Sequence, residues 1–404
     1  MPDAKSSPVR TKPMPPMPPR FAGRELEYLK EALESNTLLY RRKDGYVSQM
    51  LDRACSEFGV KHAVAASSGT AALHVAVAAA EVEAGKEVIT SPITDMGTLI
   101  AILYQNAIPT FADVDPHTYN VTAETIEAAI TEHTQAVIVV HLAGGPCDMD
   151  PIMELCRAKN IKVIEDCAQS YGCWYKGKHV GSIGDIGCFS LNDYKHLSCG
   201  DGGVVTTNDE AIYKLAHNYA DKYYDRLGQG NRLDRLGPNY RMSELQGAVA
   251  LAQFDQLQHI AETRERLGDR LTAGIADIPG IHPPRVVDEG RCSYWFYMFR
   301  IDPDQLGMDN VAFAERVRDQ GVYAGSGYLA QPMYKEPVFL NKRFFEGGVW
   351  PAEVVTGRTY DYNKVRCPNA EDVLNTAVRI VIHEGMADAD IDDCVEAIRR
   401  VADV

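Results

Sequence analysis

The chain has 404 residues, 45% hydrophobic and 24% charged, enough for one large folded domain and a smaller one and too apolar for disorder. A formal net charge of −15 argues against nucleic acid, whose phosphates call for basic stripes, but says little about a small substrate in a cleft of locally opposite charge. No apolar run nears the roughly 18–20 residues that span a bilayer, and the Met1 end has no apolar signal-peptide core, so the expectation is a soluble, cytoplasmic protein without membrane contact. The ten cysteines show neither a CxxC pair nor zinc-ligand spacing and read as reduced thiols, with no metal site.

In chain order, residues 1–22 are Pro-rich and carry Lys5, Arg10, Lys12 and Arg20. They read as an extended arm, either a solvated tail or a segment that packs on a partner subunit. Apolar residues at helical spacing predict helices over 23–35 (Leu26, Leu29, Leu33) and 47–58 (Met50, Leu51, Ala54, Phe58). A strand over 62–66 runs into Ser67-Ser68-Gly69-Thr70, which opens an Ala-rich buried helix. A helix start offers unpaired N–H groups to a phosphate, and Gly69 lets an anion approach closely; the same residues also make an ordinary N-cap. Strands over 88–90, 109–114, 136–141 and 161–166 then alternate with helices over 97–104, 122–130 and 148–159. That alternation predicts an α/β fold with a mostly parallel sheet between helices, whose ligands bind at the carboxyl ends of the strands. Ser91, His141 and Asp166 stand at such ends.

The segment 187–203, GCFSLNDYKHLSCGDGG, holds one lysine, Lys195, after a short strand-like run (Ile186, Cys188, Phe189), with Ser190 five residues before it and a Gly-rich turn after it. An isolated lysine, a strand-end carboxylate (Asp166) and a helix-start cradle (Ser68, Gly69, Thr70) are what a pyridoxal phosphate (PLP) site requires. Asp166 against the ring nitrogen would keep it protonated, or else Asp166 merely caps the next helix. Lys195 would form the Schiff base and later move a proton, which suits an amine that is easily deprotonated when desolvated.

Several ordered blocks resemble one family over nearly the whole chain. They are Ser67-Ser68-Gly69-Thr70-Ala71-Ala72-Leu73, Glu165-Asp166-Cys167-Ala168-Gln169-Ser170, the stretch from Ser190 through Lys195 to Gly203, and Asn239-Tyr240-Arg241-Met242-Ser243-Glu244. The sequence is similar to the DegT/DnrJ/EryC1/StrS aminotransferases. The resemblance implies fold type I, with a large domain (23–260) built on a seven-stranded-type sheet and a smaller α+β domain (261–404). It also implies that Lys195 carries the internal aldimine, Asp166 holds the pyridine nitrogen and Gln169 bonds near the ring hydroxyl. Ser68, Gly69, Thr70 and Ser190 would bind the phosphate, and Asn239 would reach it from the second subunit of a homodimer with shared sites. Composition alone would instead make Asn239 a turn residue after Gly237-Pro238. The family places an aromatic ring over the cofactor; here Met96 takes that position, and Asp95 stands where threonine is common. Tyr328, Tyr334 and His383 are the candidate substrate contacts.

The implied reaction moves an amino group from glutamine or glutamate to a keto group on a sugar or cyclitol, as in secondary-metabolite biosynthesis or nucleotide-sugar amination. Relatives that dehydrate sugars replace the lysine with histidine, whereas here Lys195 is present with His196 beside it. A non-catalytic regulator would be expected to lose Lys195 or Asp166. A nicotinamide-dependent oxidoreductase would need a GxGxxG turn, and Ser68-Gly69-Thr70 lacks its later glycines.

Of the less legible parts, 242–273 reads as one long helix and 293–300 as a buried strand, with helices over 309–320 and 387–401. The polar stretch 221–238, with Arg226, Arg232 and Arg235, reads as either a solvated loop or one that overhangs a partner's site.

Overall fold

A computed structural model describes residues 7–39, 44–228 and 233–402. Seven strands make the main sheet: β1 (His62–Ala66), β2 (Glu87–Thr90), β3 (Ile108–Phe111), β4 (Thr134–Val140), β5 (Lys162–Asp166), β6 (Ile186–Ser190) and β7 (Gly203–Thr207). Their spatial order is β1-β7-β6-β5-β4-β2-β3. Only β7 runs antiparallel to its neighbours; the pairs β6/β5, β5/β4, β4/β2 and β2/β3 are parallel. The α/β fold expected from the sequence is therefore the one the chain forms.

The register brings the chemistry to one edge. Ala66 and Ser190 both pair with Gly203, Asp166 pairs with Cys188, and Val140 with Asp166. The carboxyl ends of β1, β6, β5 and β4 thus lie side by side. Strands covered on both faces need apolar residues at every position, and β4 supplies Ala136 to Val140 without a polar break. The helix Gly69–Ala79 is buried almost all round, which its run of Ala, Val and Leu permits.

A second, antiparallel sheet contains β8 (Ile281–His282), β9 (Tyr297–Ile301), β10 (Ala324–Ser326) and β11 (Ala377–Ile380), in the order β8-β9-β11-β10. Its core joins Leu267, Leu271 and Ile275 to Phe313, Ile391 and Ile398 from the helices Asn310–Asp319 and Asp388–Val401. The boundary expected between residues 260 and 261 falls inside the helix Leu257–Ile275. Moreover, Tyr334, Phe339, Trp350, Tyr362 and Val373 pack into the core of the seven-stranded sheet, not into that of the smaller one.

Two sequence expectations change. The helix read over 242–273 is two helices, Glu244–Phe254 and Leu257–Ile275, joined by a tightened turn in which the Asp255 and Gln256 N–H groups bond three residues back to the carbonyls of Ala252 and Gln253. No Gly or Pro marks the break, and the buried Phe254, Leu257 and Ile260 keep helical spacing across it. The strand read over 293–300 begins only at Tyr297. Before it, Tyr294 adopts a positive φ of 39°, and the N–H groups of Ser293 and Trp295 bond to the carbonyls of Gly144 and Ala143. A run of buried aromatic residues looks like a strand in sequence whether or not its backbone joins a ladder.

All ten cysteines are free thiols. Among the described residues, no helix is long and apolar enough to cross a membrane.

Candidate active site

Lys195 lies in the loop between β6 and β7, its side chain half-buried. Its Nζ stands 3.8 Å from the centroid of the Trp295 ring. Burial lowers the pKa of the amine, while the carboxylates of Asp166 and Asp95 act in the opposite direction. A lowered lysine pKa gives a larger fraction of free amine near neutrality, as a nucleophile or base requires.

Asp166, at the end of β5, is only 4% exposed. Its Oδ2 accepts the Thr98 hydroxyl at 2.8 Å and its Oδ1 the Ala168 N–H at 3.1 Å. Burial raises its pKa in spite of those two bonds. A buried carboxylate pushed upward is short of positive charge, and a cationic ring nitrogen would supply it.

The residues expected to make a phosphate cradle, Ser68, Gly69, Thr70 and Ser190, lie close together. Ser68 is the N-cap of the helix Gly69–Ala79, its side chain accepting the Ala71 N–H at 3.0 Å. A Cβ at Gly69 would lie 2.6 Å from Ser190 Cβ, and one at Gly97 would lie 2.6 Å from Thr70 Oγ1. Two helix starts and the end of β6 therefore meet where only glycine fits. Asp95 is explained here: it caps the helix Met96–Tyr104, accepting the Gly97 N–H at 2.8 Å. Met96 opens that helix and packs, partly buried, against the main core.

Gln169 bridges two segments. Its Oε1 accepts the Ala143 N–H at 2.8 Å, and its Nε2 donates to the Tyr328 hydroxyl at 3.2 Å. Tyr328 in turn meets Trp295 edge-on at 5.9 Å. The structure so joins Gln169, Tyr328 and Lys195 through Trp295.

Other candidates lie elsewhere. Tyr334 is fully buried, its hydroxyl donating to Glu371 at 2.6 Å and accepting the Cys367 N–H at 3.0 Å. His383 Nε2 sits 3.1 Å from the Pro15 carbonyl. Asn239 is exposed and pairs through its backbone with Asp221; among the described residues no contact joins it to Lys195. His196 is buried, which holds its pKa low, and its Nε2 meets the Ser293 carbonyl at 3.0 Å. Arg226 pairs with Asp221 and Arg235 with Glu81, while Arg232 lies outside the described residues.

Sequence reasoning missed Trp295 and Thr98. Trp295 sits in the run misread as a strand. Thr98 carried a usable signal: it stands one turn after Thr94, whose hydroxyl meets its own at 2.7 Å, in a helix starting at a strand end. His141, Glu165 and Cys167 cluster closely enough to suggest a metal. Yet Glu165 accepts N–H groups from Gly181, Ile183 and Gly184, and His141 bonds both Glu165 and the Cys147 N–H, so this cluster spends its donor atoms on the fold.

The residues fit PLP: a glycine-lined cradle at a helix start, a buried carboxylate short of positive charge and a lysine with a lowered pKa share one edge of the sheet. The chain is a PLP-dependent transaminase, the class to which its fold neighbours belong. Among them, an aminotransferase from Psychrobacter cryohalolentis superposes with a TM-score of 0.84 at 30% identity, over 96% of this chain and 98% of that one.

Within that class the chain belongs to the DegT/DnrJ/EryC1/StrS aminotransferase family, whose model matches residues 19–399. It is 36% identical to GDP-perosamine synthase of Escherichia coli over 67% of this chain and 73% of that one. It is 34% identical to a provisionally named L-glutamine:3-amino-2,3-dideoxy-scyllo-inosose aminotransferase of Streptoalloteichus tenebrarius, over 82% and 81% of the two chains.

Proposed function

We propose that the protein transfers an amino group from glutamine or glutamate to a keto group of a sugar or cyclitol. The observation that carries this reading is the convergence of Lys195, Asp166 and the Ser68–Thr70 cradle on one sheet edge. Relatives whose names refer to a GDP-sugar product and to an inosose support the acceptor class, and the name of the second supports glutamine as donor.

Bound PLP supplies an aldehyde that takes up the amino group and a ring that stabilises negative charge at the reacting carbon. Lys195 is the amine that would hold the cofactor covalently, and as a free amine it would be the base that moves a proton at that carbon. Asp166 holds the ring nitrogen in its charged form, with Thr98 fixing the carboxylate's orientation. Ser68, Gly69, Thr70 and Ser190 bind the phosphate at the helix start. Gln169 would hold the cofactor near its ring hydroxyl, and the Met96 thioether would supply the apolar contact to the ring. Tyr328, held by Gln169, lines the substrate side.

The working unit is a homodimer in which Asn239 of a second copy completes the phosphate site. Two features support this: Asn239 is exposed in the single chain, and the helix Glu25–Glu34 leaves Leu26 at 81% and Leu33 at 58% exposure. Exposed leucines on one short helix are an unpartnered apolar surface.

The test is an absorption spectrum of the purified protein, before and after glutamine and then glutamate. The expected result is a cofactor band that shifts to the aminated form with one donor, and no such shift in Lys195→Ala. A bound cofactor indifferent to both donors would favour sugar dehydration instead. Candidate keto-sugars and keto-cyclitols offered to the loaded enzyme would then identify the acceptor.

A further inference from the structure

Residues 7–22 of the N-terminal arm are folded onto their own chain and reach the loop that carries Lys195. Arg10 pairs with Asp390 and Asp393, at 2.7 Å each, on the C-terminal helix. Its backbone N–H bonds to the Gln320 carbonyl at 3.0 Å. Met14 is buried in the core of the smaller sheet, and the Pro15 carbonyl meets His383. At the far end, Gln253 Nε2 donates to the Arg20 carbonyl at 3.0 Å, fixing the backbone. The Arg20 guanidinium then donates through Nη1 to the carbonyl oxygen of Lys195 at 2.7 Å.

Among the described residues, the Arg20 bond is the one hydrogen bond that the Lys195 carbonyl accepts, although Trp295 holds the Tyr194 carbonyl before it and the His196 ring after it meets the Ser293 carbonyl. Residues 191–202 belong to no helix or strand, and the Lys195 N–H makes only a turn bond to Asn192 at 3.0 Å. The anchoring bond is charge-assisted, since arginine stays protonated under any ordinary condition. Arg20 also has a tuned setting: burial lowers its pKa, and Glu384, itself paired with Arg264 at 2.7 Å, opposes that.

We propose that Arg20 is a positioning residue for Lys195: the arm fixes the lysine's main chain so that its amine meets the reacting centre. The proposal rests on the reading of Lys195 as the cofactor-bearing lysine. A small displacement of the backbone is carried down four methylenes to Nζ, where roughly an ångström of error can cost about a hundredfold in rate.

The test uses full-length Arg20→Ala and Arg20→Lys beside wild type and Lys195→Ala. In cofactor-free protein, acetylation of Lys195 by acetic anhydride is followed by mass spectrometry, with the exposed Lys364 as internal standard. In Arg20→Ala the Lys195 rate is expected to change by about threefold or more relative to Lys364, and kcat to fall about tenfold with KM for the donor little altered. Arg20→Lys, which keeps a charged donor, is expected to recover most of both. Wild-type acetylation and kcat in Arg20→Ala would overturn the proposal, leaving the arm a mere tether. So would an Arg20→Lys protein no better than Arg20→Ala. Should Arg20→Ala not fold, Arg20→Gln carries the same comparison. If Lys195→Ala still turns over, the reading of Lys195 fails; if Lys195→Ala is dead and Arg20→Ala is normal, only the role of Arg20 fails.

Discussion

Glu165 and Asp166 are adjacent carboxylates at the end of one strand, both buried, and they do opposite things. Alternation along a strand turns them to opposite faces of the sheet. Glu165 meets a complete set of donors: three backbone N–H groups from the turn at Gly181–Gly184, and His141. Burial pushes its pKa up, but His141 and those N–H groups outweigh burial and hold it below the usual range. Asp166 has two donors, and for it burial wins. A carboxylate saturated by its own chain is a structural device, whereas one left short of positive charge marks where a ligand belongs.

The largest effect expected from breaking this pair is at Asp166. Asp166→Asn should leave the fold intact and lower turnover by about a hundredfold or more, because a neutral amide cannot keep the ring nitrogen charged. Steady-state kinetics on freshly loaded protein, with a circular dichroism spectrum as control, checks it; near-normal turnover would remove Asp166 from the mechanism.

Glu165→Gln should act on stability instead. Removing one partner of a buried ion pair costs about 3–5 kcal/mol, so denaturant midpoints should drop sharply while the cofactor bound per folded molecule stays near wild type. The two residues should also differ in pH dependence of stability in the cofactor-free protein. Glu165, with a depressed folded pKa, contributes stability present above its unfolded value and lost as pH falls through the folded one. Asp166, with a raised folded pKa, contributes stability present below its unfolded value and lost as pH rises through the folded one. Melting curves across the acid range should thus flatten on the acid limb in Glu165→Gln and on the upper limb in Asp166→Asn. Matching profiles for the two variants would erase the contrast.

That contrast was only half legible in sequence. The strand alternation, the helix start at Ser68 and the lone Lys195 are local patterns, and the sheet edge on which they meet follows from the α/β rule alone. Which of two neighbouring acids is saturated depends on a turn nearly twenty residues downstream, where Gly181 sits at φ +86° and a Cβ would lie 2.5 Å from the Phe189 ring, so a side chain there is strained. Trp295 and Arg20 were invisible for the same reason: each reaches Lys195 from about a hundred residues or more away in sequence, through a loop and an arm that carry no periodic signal.

Trp295 offers an intermediate test, because it touches the reacting amine without being charged. Its indole N–H donates to the Tyr194 carbonyl at 2.6 Å, so the ring is fixed to the residue just before Lys195. Trp295→Phe keeps an aromatic face and should cost about threefold in kcat, while Trp295→Ala should cost about fivefold, in line with a contact of about 1 kcal/mol between an ammonium and an aromatic face. Equal rates for Phe and Ala would mean that the face of the ring is not what holds the amine.

The smallest effect should come from Asp95, and it separates two roles that sequence could not. Its side chain caps the helix Met96–Tyr104 through the Gly97 N–H. Its charge also acts on Lys195, raising the amine's pKa against the burial that lowers it. Asp95→Asn keeps the capping geometry and deletes the charge, whereas Asp95→Ala deletes both. Stability should therefore fall by about 1 kcal/mol in the alanine variant alone. The pKa of Lys195, read from the pH dependence of its acetylation in cofactor-free protein, should fall further in both, because the remaining carboxylate, Asp166, then opposes burial by itself. A Lys195 titration unmoved in Asp95→Asn would assign Asp95 to the helix end alone and leave Asp166 as the one acid that matters to the amine.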